Sequence, residues 1–293
     1  MNIGFIIHTF TKFLSINQYT NLKHLNVNYR YLFMNKIVNI PLKTDNSIKK
    51  IVVVCSHERS GTHFLINSIS KSQPIYTNKP YVDIDFSMYS LYDIYNKQAI
   101  ENFFLELLKL KCASIIKTHH PYYFFKDLSP KIKKHIVFFY IYRNPIQVLK
   151  SFWHFCNTYE PIGPKIMNFK QFIISQPYGK MLRYQILQQP NMLYRWKSHV
   201  LSWFNASALE NNVHLLYFDN LRDNYKNIVK HINQILEMET ISIDMPDKNN
   251  YWKPAKLNVD KITAGEIKEI QNYIKNILTE NIFSKFFDNV LAE

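Results

Sequence analysis

The chain has 293 residues, 47% of them hydrophobic and including 20 Tyr and 21 Phe, which is enough apolar mass for a substantial core and excludes global disorder. A formal charge of +14 points to an anionic partner, whether nucleic acid, membrane surface or phosphorylated small molecule. It does not choose among them, and the same composition would also follow from AT-rich coding. The three cysteines, Cys55, Cys112 and Cys156, lack the spacing of a disulfide framework or a zinc site and fit a reducing, cytoplasmic setting.

Residues 1–49 carry Lys12, Lys23, Arg30, Lys36, Lys43 and Lys49 against the single acid Asp45 and read as a basic N-terminal extension of unclear role. Met34 offers an internal start. No apolar run reaches the roughly 20 residues that a membrane-spanning helix needs, and Met1 to Leu14 is broken by His8, Thr9, Thr11 and Lys12. Residues 50–293 read as one domain. Ile51 to Cys55 is a β-branched run of the buried, parallel-strand kind, and after a polar turn Gly61 to Ser70 takes helical period. Gln98 to Leu110 reads as a helix leading into a second strand, Ala113 to Lys117. A third strand, His135 to Tyr142, stops at Arg143-Asn144-Pro145, where Asn144 can cap and Pro145 can begin a helix running to about Cys156. Met192 to Phe204 is an amphipathic helix and Val213 to Tyr217 a fourth strand; Asp219 opens a linking turn to a helix that runs through Leu236. Ala264 to Leu278 is helical. Strands alternating with helices predict an α/β fold with a central parallel sheet flanked by helices.

The turn Ser56-His-Glu-Arg-Ser-Gly-Thr-His63 lies between a buried strand and a helix, where backbone N–H groups and the helix dipole favour an anion. Gly61 permits close approach, Ser60 and Thr62 add hydroxyls, and Arg59 adds a permanent charge with forked donors. The first Gly and the Lys-Ser/Thr pair of an ATP-type loop are both missing, which disfavours magnesium-dependent phosphoryl transfer. Taken alone, the segment also reads as an ordinary strand-to-helix turn.

Three segments in this order resemble the cytosolic-type, PAPS-dependent sulfotransferase family, where PAPS is 3′-phosphoadenosine 5′-phosphosulfate. Arg59-Ser-Gly-Thr-His-Phe64 is similar to the family's Lys-Ser-Gly-Thr-Thr-Trp. Lys117-Thr-His-His-Pro121 is similar to its Lys-Thr-His-x-Pro, and Tyr142-Arg-Asn-Pro145 through Ser151 to Phe155 to its 3′-phosphate motif. A weaker fourth likeness covers Trp196, His199, Trp203 and Leu216 to Asp219, so that the resemblance spans about residues 50 to 237. It implies a P-loop-like donor site made by Arg59, Ser60, Gly61, Thr62, His63 and Phe64. Arg143 and Ser151 would hold the 3′-phosphate, and Tyr217 would line the nucleotide site. Phe64 stands where the family stacks a Trp on the adenine. The implied reaction is sulfuryl transfer to a hydroxyl, with His119 as general base and Lys117 and Arg59 stabilising charge; it calls for no metal.

Independently of the family, Lys117 and His119 stand two apart at a strand end and leave on one face. Ser151 lies about two helical turns beyond Asn144, on the same side of its helix. Arg59 departs from the family's Lys, and the family's C-terminal Arg-Lys-Gly segment has no match, although Lys253 and Lys256 fall in that region. His57, His63, His119 and His120 fit no zinc spacing. The rival readings are a nucleotide-binding protein of little or no activity, a nucleoside-type kinase, and a nucleic-acid binder using the basic surface. No nucleic-acid reader motif and no stable membrane insertion are expected, and oligomeric state is open. The acceptor is a small-molecule, lipid or glycan hydroxyl. The aromatic-rich stretches Tyr76 to Tyr95 and Tyr159 to Tyr184 favour an apolar or aromatic alcohol.

Overall fold

The computed structural model describes residues 43–84, 97–158, 163–185, 188–247 and 262–278. The chain divides into two compact units. Among the described residues, one comprises 43–142 and 201–247, the other 143–200 and 262–278.

The first unit is built on five strands: β1 (Ile51–Cys55), β2 (Thr77–Asp83), β3 (Ser114–Thr118), β4 (Ile136–Tyr142) and β5 (Val213–Tyr217). They form one sheet in the order β2-β3-β1-β4-β5, every pair parallel. The helices that alternate with them are α1 (Thr62–Ser72), α2 (Lys97–Lys109), α3 (Pro130–Lys133), α4 (Pro145–Thr158), α5 (Phe169–Ile174), α6 (Met192–Leu209), α7 (Phe218–Asp223), α8 (Tyr225–Ile235) and α9 (Ala264–Ile277). The parallel α/β architecture is the one expected. The linking turn expected to open at Asp219 is a short helix, α7, and the helix expected through Leu236 is α8; Asn224 separates the two.

β2 was not foreseen. Its sequence, TNKPYVD, is polar and contains Pro80, which cannot donate to a ladder and is tolerated because β2 lies at the sheet edge. It occupies the first part of the stretch from Tyr76 to Tyr95 expected to line an acceptor pocket; positions 85–95 lie outside the described residues, as do Lys253 and Lys256.

The period of two along β4 sorts its side chains between two layers. Val137, Phe139 and Ile141 join Val52, Val54, Ile115 and Leu216 in a cluster that buries Phe64, Leu65 and Ile69 of α1 and Tyr225, Val229 and Ile232 of α8. Phe138 and Tyr140 face the other way, onto aromatic rings. Trp203 stacks on Tyr140 with centroids 5.2 Å apart and planes at 10° and packs on Phe138 at 5.6 Å, while Phe125 bridges Phe138 and Phe104 of α2. Such pairs contribute about 0.5–1.5 kcal/mol each beyond their area. The segment before β1 is tied in as well: Lys43 accepts from the Ala113 N–H at 2.8 Å, and Thr44 bridges Cys112.

β1 is central, with β3 and β2 on one side and β4 and β5 on the other. The order in which strands are added therefore changes sides at β1, and the carboxyl ends of strands at such a switch are where open parallel sheets bind ligands. The phosphate-type loop follows β1, His119 follows β3 and Arg143 follows β4.

In the second unit, α4 begins as expected. Asn144 Oδ1 accepts from the N–H of Ile146 at 3.0 Å and of Gln147 at 3.4 Å, with Pro145 as the first helical residue. Trp153 is fully buried, donates from Nε1 to Ile166 O at 2.6 Å and packs on Phe169 at 5.3 Å. α9 opens with a capping box between Thr263 and Glu266, and Lys170 pairs with Glu269.

Candidate active site

The turn after β1 is held in an unusual backbone path. Arg59 sits at φ 70° and Gly61 at φ 107°; only glycine takes the second value without strain. A Cβ on Gly61 would also stand 2.3 Å from the Phe218 ring, so the glycine serves the packing of α7 as well as the turn. Gly61 caps α1 with no side-chain hydrogen bond, whereas Asn144 and Thr263 cap α4 and α9. The amide end of α1 and its positive dipole are thus presented by backbone alone. Ser60 is 1% exposed and Thr62 4%.

β3 runs parallel beside β1 with Val54 opposite Lys117 and Cys55 opposite Thr118, which brings the next residues, Ser56 and His119, together. Nδ1 of His119 lies 2.9 Å from the Ser56 carbonyl oxygen. A carbonyl only accepts, so Nδ1 carries the hydrogen and Nε2 is the basic nitrogen of the neutral ring. Lys117, 4% exposed, places an ammonium where low dielectric strengthens its action on an anion. His119 is 9% exposed.

His63, in the first turn of α1, packs edge-on to Tyr81 with centroids 5.6 Å apart. Burial of part of the ring, then the charges of Lys117 and Arg59, pull its pKa down to about 4. Because the residue as a whole is exposed, the two cations are the better-founded cause. The same cations would attract an anionic ligand.

The second unit carries Arg143 and Ser151, both half-buried. Arg143 donates from Nε to Gln147 Oε1 at 2.7 Å, one helical turn on. Burial and the charge of Lys150 lower the pKa of His154.

The Sulfotransferase domain model matches residues 49–287. The chain belongs to the sulfotransferase domain family. Its match starts just before β1 and runs through both units, leaving the basic segment before Lys49 outside. No curated protein matches the chain. Among solved structures, mouse sulfotransferase SULT7A1 complexed with PAP is similar at 17% identity and TM-score 0.43, over 83% of this chain and 68% of that one. Retinol dehydratase in a complex with retinol and PAP is similar at 17% identity and TM-score 0.42, over 73% of this chain and 66% of that one. The family assignment rests on the domain match, and sulfotransfer is the general activity it supports.

In this sulfotransferase-family chain, the sequence-predicted residues Arg59, Ser60 and Gly61 belong to the turn after β1, Thr62 and His63 to the first turn of α1, and Lys117 and His119 to the end of β3. Phe64 lies in the core cluster, 8% exposed, its ring 5.8 Å from Phe218 and 6.0 Å from Tyr225. Tyr217 is also 8% exposed and packs on Tyr142 at 5.2 Å. His120 is held by its own surroundings: its carbonyl accepts from Trp203 Nε1 at 3.2 Å and its ring lies 4.1 Å from that of Phe124. Trp196 and Trp203 are interior, as the helical stripe implied. Among the described residues, no group of three His, Cys, Asp or Glu is arranged to hold a metal ion, the three cysteines are free and buried, and no helix is long and apolar enough to cross a membrane.

The expected aromatic acceptor lining takes a different form where it is described. Tyr76 is 2% exposed and donates its hydroxyl to Lys50 O at 2.8 Å. Phe169, Phe172 and Tyr184 are buried too. These rings are spent on packing and say little about a ligand. Residues that sequence reasoning missed are Ser56, which is fully buried against His119, and the His57–Glu58 pair, whose Nδ1 and Oε2 stand 3.5 Å apart. Ser56 was readable only once β1 and β3 were known to be neighbours, because the parallel register sets it opposite His119.

Proposed function

We propose that this chain is a PAPS-dependent sulfotransferase acting on a hydroxyl acceptor, with His119 as the general base. The observation that carries the reading is the contact of His119 with the Ser56 carbonyl. Its Nδ1–H is engaged by the Ser56 carbonyl at 2.9 Å, which directs a basic Nε2 away from the backbone at the carboxyl end of β3. In the proposed step the acceptor oxygen forms a bond to sulfur as the bond from sulfur to the 5′-phosphate oxygen breaks. The acceptor proton passes to Nε2, and adenosine 3′,5′-bisphosphate departs. A base so placed contributes about 10²- to 10⁴-fold.

Arg59 and Lys117 stabilise the charge that builds on the sulfuryl oxygens and the leaving phosphate. The turn residues Ser60, Gly61, Thr62 and His63 suit that phosphate, since an uncapped amide end favours an anion. Arg143 and Ser151 are assigned to the 3′-phosphate, which a forked guanidinium and a hydroxyl suit chemically, while Phe64 and Tyr217 are assigned to the nucleoside. The guanidinium of Arg59, broader than an ammonium, spreads its charge over more than the leaving oxygen. The acceptor is assigned as a small-molecule, lipid or glycan hydroxyl, and 50–293 as the catalytic domain with 1–49 outside it.

The test is transfer of radiolabelled sulfuryl from PAPS to a panel of phenols and aliphatic alcohols. Transfer that disappears in His119→Ala, while that variant still binds adenosine 3′,5′-bisphosphate, supports the proposal. Undiminished transfer by His119→Ala removes the base assignment, and no transfer to any acceptor by wild-type protein that binds the bisphosphate favours the donor-binding, non-catalytic reading.

A further inference from the structure

The contacts of Ser56 go beyond its carbonyl. Its hydroxyl oxygen lies 3.3 Å from His119 Nδ1 and 2.6 Å from Thr62 Oγ1. Ser56 is 0% exposed, Thr62 4% and His119 9%, so water has little access to reorder the protons among them.

One point is fixed: the Ser56 carbonyl can only accept, so the hydrogen is on Nδ1, and the Ser56 hydroxyl oxygen can only accept from that N–H. Between Ser56 Oγ and Thr62 Oγ1 either hydroxyl can donate. When Ser56 donates, Thr62 has its proton to give outward, and His119 Nδ1–H, Ser56 Oγ–H and Thr62 Oγ1–H form one chain in which each hydroxyl accepts from the group behind and donates to the group ahead; when Thr62 donates, the chain closes on Ser56. Hydrogen bonds in series polarise one another, most strongly where dielectric is low.

We propose that Ser56 is a positioning residue that couples anion occupancy of the turn after β1 to His119: an anion accepting from Thr62 Oγ1 draws the chain tight and firms the Nδ1–H tautomer, leaving Nε2 the better base. The inference rests on the donor-site reading above and deepens it. Ser56 touches neither the donor nor the acceptor; it acts through Thr62 on one side and His119 on the other. The consequence is order in the reaction: the base is readied once donor phosphate is in place.

The experiment pairs calorimetry of adenosine 3′,5′-bisphosphate binding with proton–nitrogen NMR of ¹⁵N-histidine-labelled protein, using His119→Gln to assign the His119 signal. Ser56→Ala and Thr62→Ala are each expected to weaken binding about five- to tenfold, the worth of one hydrogen bond in an anion site. The double variant should be weaker than either by less than about twofold, since members of one chain do not add. Ser56→Thr should restore affinity. The bisphosphate should move the His119 Nδ1–H resonance in wild type and Ser56→Thr and leave it in place in Ser56→Ala. Thr62→Ala, which leaves Ser56 untouched, should also abolish the movement and keeps the test alive if Ser56→Ala misfolds. Additive losses, or a resonance that moves equally in Ser56→Ala and Thr62→Ala, would overturn the coupling while leaving the donor site intact. Folded wild type that fails to bind the bisphosphate overturns the donor reading, and the coupling falls with it.

Discussion

The turn after β1 and the start of α4 are both assigned to phosphate, yet they are built on opposite plans. In the first, Ser56, Ser60, Thr62, Lys117 and His119 are at most 9% exposed, and the positive φ values of Arg59 and Gly61 are sustained by surrounding packing. In the second, Arg143 and Ser151 are half-exposed, and the helix start is already capped by Asn144. A site whose groups are fixed beforehand loses little on reaching the transition state, which is what a reacting centre requires. A long half-exposed arginine held by Gln147 must be rearranged on binding, and fixing such a side chain anew costs about 0.5–1.5 kcal/mol. Chemistry is thus assigned to the rigid region and donor selection to the adaptable one.

The comparison breaks most visibly at His119. His119→Ala is expected to lower turnover by about 10²- to 10⁴-fold with bisphosphate affinity almost unchanged; an equal loss in both would show that the residue shapes the site and does no proton transfer. Next comes Gly61→Ala, which combines a forbidden φ with a clash against Phe218 and should cost about 3 kcal/mol of stability, read as a lowered chemical-denaturation midpoint. A matching substitution at the adaptable end, Ser151→Ala, should leave that midpoint within about 0.5 kcal/mol. Arg143→Ala should weaken the bisphosphate by about 10- to 100-fold, the range of a charge-assisted contact, and leave AMP binding unchanged.

The smallest effect concerns pH. The pKa of His63 is lowered from its ordinary value of 6.5, so the unfolded chain binds its proton first as pH falls. Stability should decline as pH falls below about 6.5, and His63→Gln should flatten that part of the thermal-denaturation profile. A ligand anion offsets Arg59 and Lys117 and favours the proton on His63, so bisphosphate affinity should rise toward acid pH in wild type and less so in His63→Gln. Identical profiles for the two proteins would show that the cations do not govern this histidine.

Legibility in the sequence follows the same division. β1, β3 and β4 were readable because central parallel strands are buried on both faces and carry unbroken apolar runs, and β5, at the other edge, because it keeps the apolar residues Val213, Leu215, Leu216 and Tyr217. β2, at the edge with Lys79 and Pro80, has no such constraint and looked like a loop. Arg59, Gly61, Lys117 and His119 were legible as local motifs at strand ends. Ser56 was not, because its role comes from the pairing of β1 with β3, which no local pattern encodes. The aromatic stretches are ambiguous for a related reason: a ring that fills the interior and a ring that faces a ligand have the same sequence signature, and Phe172 at 0% exposure is of the first kind.

The central claim, that this chain binds a 3′-phosphorylated adenylate as a sulfuryl donor does, is tested most directly by calorimetry of adenosine 3′,5′-bisphosphate against AMP. The account predicts binding at least about tenfold tighter for the bisphosphate, the worth of one charge-assisted phosphate contact, with the advantage lost in Arg143→Ala. Equal affinity for both nucleotides in well-folded wild-type protein would contradict it.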